Sequence, residues 1–308
     1  MIFDGNGNIF GTTKSGGRFG QGTAFELSPV GDGSWKEQVL HSFGASGDGI
    51  VPYVGLVLNS AGNLFGVTNR GGTYDTGVAF ELSPTVGAGW TETIIHNFGK
   101  GEDGQYPVGG LAIDQSGSLY GTAEAGGAHG IGLAFELSPV DGGWKETILH
   151  QFASPDGGVP TDTLTFDSSG HLFGTTTSYG RYSKGTVFEL SPTGAGTWKL
   201  TVLYDFGSHS EDGYSPFSGV TLSSTGTIYG TTTVGGKYGL GTIFQLSPNA
   251  GEAWNQTVLY DFSGYWFGRS DGAYPYGKLT LDPSDNLYGT TVSGGSSDGG
   301  LVFDIATR

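Results

Sequence analysis

The sequence predicts an all-β fold: a six-bladed β-propeller of four-stranded antiparallel blades, one of them three-stranded. A repeat running the length of the chain and a composition suited to strands and turns carry this reading. Of 308 residues, 60 are Gly and the aromatics comprise 19 Phe, 15 Tyr and 6 Trp. So much Gly without a collagen-like period, beside so many rings, describes a folded chain rich in tight turns. No window sustains a 3.6-residue apolar period, and Gly or Pro interrupts each stretch before a helix can nucleate.

The repeat is marked by a Leu-Phe-Gly-Val-Thr-like segment whose Gly stands at Gly11, Gly66, Gly121, Gly174, Gly230 and Gly289. A second marker, Phe-Glu-Leu-Ser-Pro or a variant, begins at Phe25, Phe80, Phe135, Phe188, Phe244 and, degraded, at Phe303. Three markers occur in five units only. They are a Trp (Trp35, Trp90, Trp144, Trp198, Trp254), a Phe (Phe43, Phe98, Phe152, Phe206, Phe262) and an Asp-Gly pair followed by Pro52, Pro107, Pro160, Pro216 or Pro275. The unit boundaries fall at 1–54, 55–109, 110–162, 163–218, 219–277 and 278–308, within one domain.

Each unit breaks into four extended runs, here a to d. In the second unit run a is Leu56 to Asn59, b is Asn63 to Thr68, c is Val78 to Ser83 and d is Trp90 to Phe98. Each is β-branched or aromatic, of strand length, and bounded by turn residues. Meanders too small to cover both faces alone are satisfied by radial packing. A linear β-solenoid is the competing arrangement, but its repeats are usually shorter. Because the chain begins inside run a at Ile2 and stops just after run c, one blade is expected to lack strand d.

Composition also excludes functions. With 29 acidic against 13 scattered basic residues and a net charge of −16, a nucleic-acid partner is not expected. The absence of Cys removes thiolate nucleophiles and Cys-ligated metal centres. No apolar run approaches the roughly 18 residues of a membrane span, so no membrane insertion is expected. The first residues, MIFDGNGNIFGTT, lack the charged and apolar regions of a signal peptide.

The units LFGVTNRGG, GVAFELSP, W, IIHNF and EDGQYP, taken together, resemble the Gloeobacter–Verrucomicrobia (GloVer) tandem repeats of bacterial choice-of-anchor proteins over the whole chain. The resemblance implies a protein exported to the cell surface, and brings no settled activity. The family's export signal and C-terminal sorting segment are not seen, so extracellular location rests on resemblance alone; a fragment of a longer protein and a stand-alone ring both fit. The a–b pair GLAIDQSGSLYGT also resembles the inner strands of NHL-type propellers, which implies that run a lines the central channel. Ser28 and Trp35, with three equivalent pairs, share the seven-residue spacing of the sialidase Asp-box but not its Asp, which points to hairpin geometry rather than sialidase activity.

Antiparallel strands send the d–a and b–c loops to one face and the short a–b and c–d turns to the other. The loop face is rich in aromatics beside polar groups, a composition suited to sugars, whose C–H faces stack on rings while their hydroxyls take hydrogen bonds. Tyr106, Tyr214, Tyr265, Trp266, Tyr274 and Tyr276 are the stacking candidates, with Arg70, His129 and Lys278 as polar ones. Packing of these rings against one another is the plain alternative. The repeated Asp-Gly pairs (Asp48, Asp103, Asp156, Asp212, Asp271) read as turns in which Asp bonds a backbone N–H two residues on beside a Gly of positive φ. Ca²⁺ ligation is their functional alternative, though no complete ligand set supports it, and no other cofactor is expected. His41, His96 and His150 occupy one repeat position and read as structural.

A catalytic site in a near-symmetric ring is expected where a repeat breaks its own rule. Glu124 and Asp162 are such breaks on adjacent blades, and two carboxylates across a cleft are what glycoside hydrolysis needs. The reading is therefore an extracellular propeller, monomeric, that binds a polysaccharide or oligosaccharide on its loop face. Its alternatives are a glycoside hydrolase using Glu124 and Asp162, and a non-catalytic surface scaffold.

Overall fold

The computed structural model describes residues 1–87, 89–194, 196–249, 254–264 and 271–307. It is an all-β, six-bladed propeller: five blades are four-stranded antiparallel meanders and the sixth has three strands. Among the described residues there is no α-helix, only a 3-10 turn at Ser154–Asp156, and no helix is long and apolar enough to cross a membrane. The chain divides into two compact units, Met1–Gln151 and Phe152–Arg308.

In the first unit, blade 1 is Ile2–Phe3, Ile9–Thr13, Thr23–Pro29 and Trp35–Ser42. Blade 2 is Val57–Leu58, Leu64–Thr68, Val78–Thr85 and Gly89–Asn97, and blade 3 is Ala112–Ile113, Leu119–Ala123, Leu133–Val140 and Gly143–Gln151. In the second unit, blade 4 is Thr165–Phe166, Leu172–Thr176, Thr186–Gly194 and Thr197–Asp205. Blade 5 is Thr221–Leu222, Ile228–Thr232, Thr242–Pro248 and Trp254–Asp261; blade 6 is Thr280–Leu281, Leu287–Thr290 and Val302–Ile305, with no strand d among the described residues.

The repeat markers turn out to be packing partners. The Gly of strand b lies opposite the Phe of strand c, as in Gly66 with Phe80 and Gly230 with Phe244, and a Cβ there would overlap that ring. The same Phe meets the ring that closes strand d of the preceding blade. Centroids are 5.0 Å apart for Phe43–Phe80 and Phe98–Phe135, and 5.1 Å for Phe152–Phe188 and Phe206–Phe244. The strand-d Trp packs on strand b of the blade before it, Trp90 on Phe10 and Trp144 on Phe65. The core of each unit thus lies between successive blades: Phe65, Val67 and Ala79 of blade 2 pack with Leu111, Leu119 and Phe135 of blade 3.

The a–b turns are short, each held by one polar side chain such as Asp4, Asn59, Asp114, Asp167 or Asp282, which accepts N–H groups two and four residues on. The Asp-Gly pairs work differently from the sequence reading. Their carboxylates reach backward: Asp48 accepts from Gly44 N–H at 2.8 Å and Asp103 from Gly99 N–H at 2.9 Å. Of the Gly partners only Gly157 has positive φ; at Gly49, Gly104, Gly213 and Gly272 the requirement is space, because a Cβ would strike the end of strand b in the next blade.

Candidate functional site

The loop face is assembled from paired loops. In four of the five Asp-Gly pairs the Gly opens a two-residue strand that pairs with the chain just beyond strand b of the following blade; at Asp156-Gly157 a single Gly158–Ser178 bridge takes its place. Gly49–Ile50 joins Arg70–Gly71, Gly104–Gln105 joins Ala125–Gly126, Gly213–Tyr214 joins Val234–Gly235 and Gly272–Ala273 joins Ser293–Gly294. The residue before each Pro is left-handed in all five loops: Val51, Tyr106, Val159, Ser215 and Tyr274 have φ between 53° and 59°. That conformation is strained for Val in particular, and proline already restricts its predecessor. At Val51, Tyr106, Ser215 and Tyr274 it is held by backbone bonds at both ends. Tyr106 N–H donates to Thr76 O at 2.8 Å, and Tyr106 O accepts from Glu124 N–H at 3.4 Å.

That last contact defines a position after strand b that recurs in every blade. It holds Lys14, Asn69 and Glu124 in the first unit and Thr177, Thr233 and Val292 in the second. The two Thr hydroxyls are satisfied locally, donating to Val159 O at 3.0 Å and Ser215 O at 2.9 Å. In the first unit the Asn69 amide Nδ2 is buried with no hydrogen-bond partner among the described residues.

The structure gathers the expected site residues into two groups. In the first unit Arg70, Tyr106 and Glu124 come together, the guanidinium standing 4.6 Å from the centre of the Tyr106 ring. Burial pushes the Glu124 carboxyl above its ordinary value, and the Arg70 charge pulls it back. In the second unit Asp162, Lys278 and Tyr276 come together. The Asp162 carboxylate accepts from the backbone N–H groups of Thr163 and Gly219, and the Lys278 amine donates to Thr165 Oγ1 at 2.7 Å. Burial pushes Asp162 up and Lys278 down, and each charge draws the other back. Lys278 is nonetheless exposed, so its amine is recessed among protein atoms rather than sealed from water.

Beside this pair, Phe217 and Tyr276, 40% and 45% exposed, meet edge to face at 5.0 Å. Phe217 is placed by its carbonyl, which accepts from Thr161 Oγ1 at 2.9 Å. Tyr214 lies under Lys184, whose amine is 4.0 Å from the ring centre. Tyr274 lines a cleft with Leu240, Gly264, Ser293 and Asp298. His129 is exposed in its b–c loop, and no hydrogen bond or ion pair reaches it among the described residues. Tyr265 and Trp266 lie outside the described residues. Glu124 and Asp162 belong to different units.

The sequence reading of His41 and His96 missed their partners. His41 Nε2 is 3.0 Å from Asp48 Oδ2 and 3.5 Å from Glu92 Oε2; His96 Nε2 is 3.0 Å from Asp103 Oδ2 and 3.7 Å from Glu146 Oε1. Burial pushes Glu92 and Glu146 up to about 7, with His41 and His96 pulling the other way. In the second unit Tyr takes the His position, and Tyr204 and Tyr260 donate to Asp212 and Asp271 at 2.8 and 2.7 Å. The repeat carries part of the signal: His41 and His96 have Glu92 and Glu146 one repeat on, whereas His150 has Leu200 and Tyr204 has Gln256.

The sequence profile of the Gloeobacter/Verrucomicrobia repeat matches residues 1–167 and 113–308, which together span the chain. The chain belongs to the Gloeobacter/Verrucomicrobia repeat family. No curated protein sequence matches it. Its fold is similar to that of a candidate 6-phosphogluconolactonase from Bacteroides uniformis, at 12% identity, 98% of this chain, 82% of the other and a TM-score of 0.59. It is also similar to a candidate oxidoreductase (glucose dehydrogenase) from Thermus thermophilus, at 15% identity, 98% and 94% coverage and a TM-score of 0.54. At these identities the likeness is one of fold, and within a widely used fold the function lies in the site.

Proposed function

We propose that this propeller is an extracellular binding module that recognises a polysaccharide or oligosaccharide on its loop-rich face. The observation that carries the reading is the second unit's exposed Phe217–Tyr276 pair beside the recessed Asp162 and Lys278. Rings offer a stacking plane for the C–H face of a sugar, and the ammonium and carboxylate offer directional bonds to its hydroxyls. Arg70, Tyr106 and Glu124 supply the same chemical set in the first unit. Surface location follows the family resemblance and fits a ligand of this class.

Hydrolysis of the same glycan is the second reading, and Glu124 favours it. A carboxyl raised by burial is the kind that serves as a general acid. Asp162, by contrast, is engaged with two backbone N–H groups.

The test is retardation of the purified chain in gels containing soluble plant and microbial polysaccharides, with release of reducing ends followed in parallel. Retardation is expected, with Phe217→Ala and Tyr276→Ala each weakening it about tenfold, a loss of roughly 1.4 kcal/mol. Released ends that vanish in Glu124→Gln would replace the binding module with the hydrolase. Neither signal across the panel would leave a scaffold without a glycan ligand.

A further inference from the structure

We infer that the first unit carries two equivalent binding sites for a divalent first-row transition ion, Zn²⁺ being the natural probe. The first is His41, Asp48 and Glu92; the second is His96, Asp103 and Glu146. In each, the three candidate donor atoms lie within 4.8 Å of one another. Donors ~2.1 Å from a tetrahedral ion stand about 3.4 Å apart. The His–Asp and His–Glu separations, 3.0 and 3.5 Å in the first site and 3.0 and 3.7 Å in the second, bracket that value.

The sites are recessed and part of their valence is open, beside the Asp oxygens that already accept from Gly44, Gly99 and Gly104 N–H. The Asp48 and Asp103 side chains are 4% and 5% exposed, the two Glu 14% and 18%, the two His 20%. Asp48 Oδ1, Glu92 Oε1 and Glu146 Oε1 are buried with no hydrogen-bond partner among the described residues. Glu146 Oε1 is the very atom that faces His96 Nε2. Two carboxylates and an imidazole nitrogen this close form a donor set for Zn²⁺ or a neighbouring ion, with water filling the fourth position. The set is too small and too nitrogenous for Ca²⁺, which takes six to eight oxygens.

The second unit provides a comparison, while His150, for which the acid position one repeat on is Leu200, lies in neither site. Where Tyr204 and Tyr260 replace the His, each hydroxyl closes on the loop Asp directly, and the Glu position holds Gln256. Both units join strand d to its following loop, through Tyr hydroxyls in the second and through His41–Asp48 and His96–Asp103 contacts of 3.0 Å in the first. In the first unit an ion would replace that contact and extend the junction to strand d of the next blade.

The test uses the full chain without a polyhistidine tag, stripped with chelator, titrated with Zn²⁺ by calorimetry and assayed for retained metal after gel filtration. Two ions per chain are expected, one in His41→Tyr or His96→Tyr, and none in the double variant. Tyr is the residue the fold itself uses at this position, so the variants should fold, and the double variant should melt where the stripped parent melts. Zn²⁺ should raise the melting temperature of the parent and not of the double variant. Equal retention by parent and double variant, or retention by neither, overturns both sites, leaving a carboxyl pair that shares a proton beside the imidazole. A single ion lost in only one of the single variants keeps that site and overturns the other.

Discussion

The two units are built from one repeat and differ most at two positions that the repeat brings to corresponding places. After strand b, the second unit has Thr177 and Thr233, whose hydroxyls close on carbonyls nearby. The first unit has Lys14 over the Tyr53 ring, Asn69 with its amide Nδ2 unpaired among the described residues, and Glu124 facing Arg70. At the end of strand d, the second unit closes Tyr204 and Tyr260 on Asp212 and Asp271, while in the first unit His41 and His96 each stand between two carboxylates. The shared core sets the architecture, and the departures from self-satisfaction concentrate the reactive groups. The second unit has departures of its own, at Asp162 and Lys278 beside its exposed ring pair and at the unpaired Asp212 Oδ1 and Gln256 Nε2 among the described residues.

If the cores are equivalent, equal damage should follow from equivalent cavities. Phe98 and Phe206 are fully buried and face Phe135 and Phe244 at nearly the same distance. Phe98→Ala and Phe206→Ala are each expected to lower unfolding stability by about 3–5 kcal/mol, read as matching falls in the urea midpoint. A loss in one unit twice that in the other would break the comparison at its base and make the core, too, unit-specific.

This equivalence is why the fold was legible. Gly66 is required by the ring of Phe80, and Phe98 packs on Phe135 one blade on, so each marker recurs wherever its partner does. Strand order and the absence of a fourth strand in the last blade follow from counting markers. The sites were less legible because their partners are not neighbours in sequence. His41 meets Glu92 a full repeat away, so repetition of His alone looked structural. Asp48 closes backward on Gly44, although the Asp-Gly pair suggests a forward turn. The left-handed residues before the prolines left no mark either, since Val, Tyr and Ser all occupy that position. Arg70, Tyr106 and Glu124 were singled out separately as loop-face residues or repeat breaks, and the loop pairing that brings them together appears only in three dimensions.

Exchange of residues between the units sharpens the contrast at intermediate size. Thr177→Val and Thr233→Val keep shape and remove one hydroxyl bond apiece, so each should reduce stability by about 1 kcal/mol. Glu124→Thr is the reverse exchange. It removes a partly desolvated carboxyl and installs a hydroxyl within reach of the Tyr106 carbonyl, and a gain of similar size is expected in thermal melts at pH 7. A loss instead would mean that Glu124 is already satisfied by Arg70, and that the first unit is no less self-contained than the second.

The smallest effect is the most specific to the first unit, because no acid stands at this position in the second. A carboxyl raised on folding binds its proton more tightly in the folded chain. Its contribution to stability is complete below the ordinary value near 4.5 and is lost as pH rises through the raised one. Burial is the larger influence on Glu124, and Arg70 opposes it. The difference in urea midpoint between the parent and Glu124→Gln should therefore move in favour of the variant between pH 4 and pH 7. The shift should correspond to less than about 1 kcal/mol, since the group is partly exposed and screened by water. Arg70→Gln removes the opposing charge and should enlarge the parent's loss over the same interval. A Glu124→Gln profile parallel to the parent's would mean that the carboxyl stays charged at no cost beside Arg70, and would take from it the protonated state that the hydrolytic reading requires.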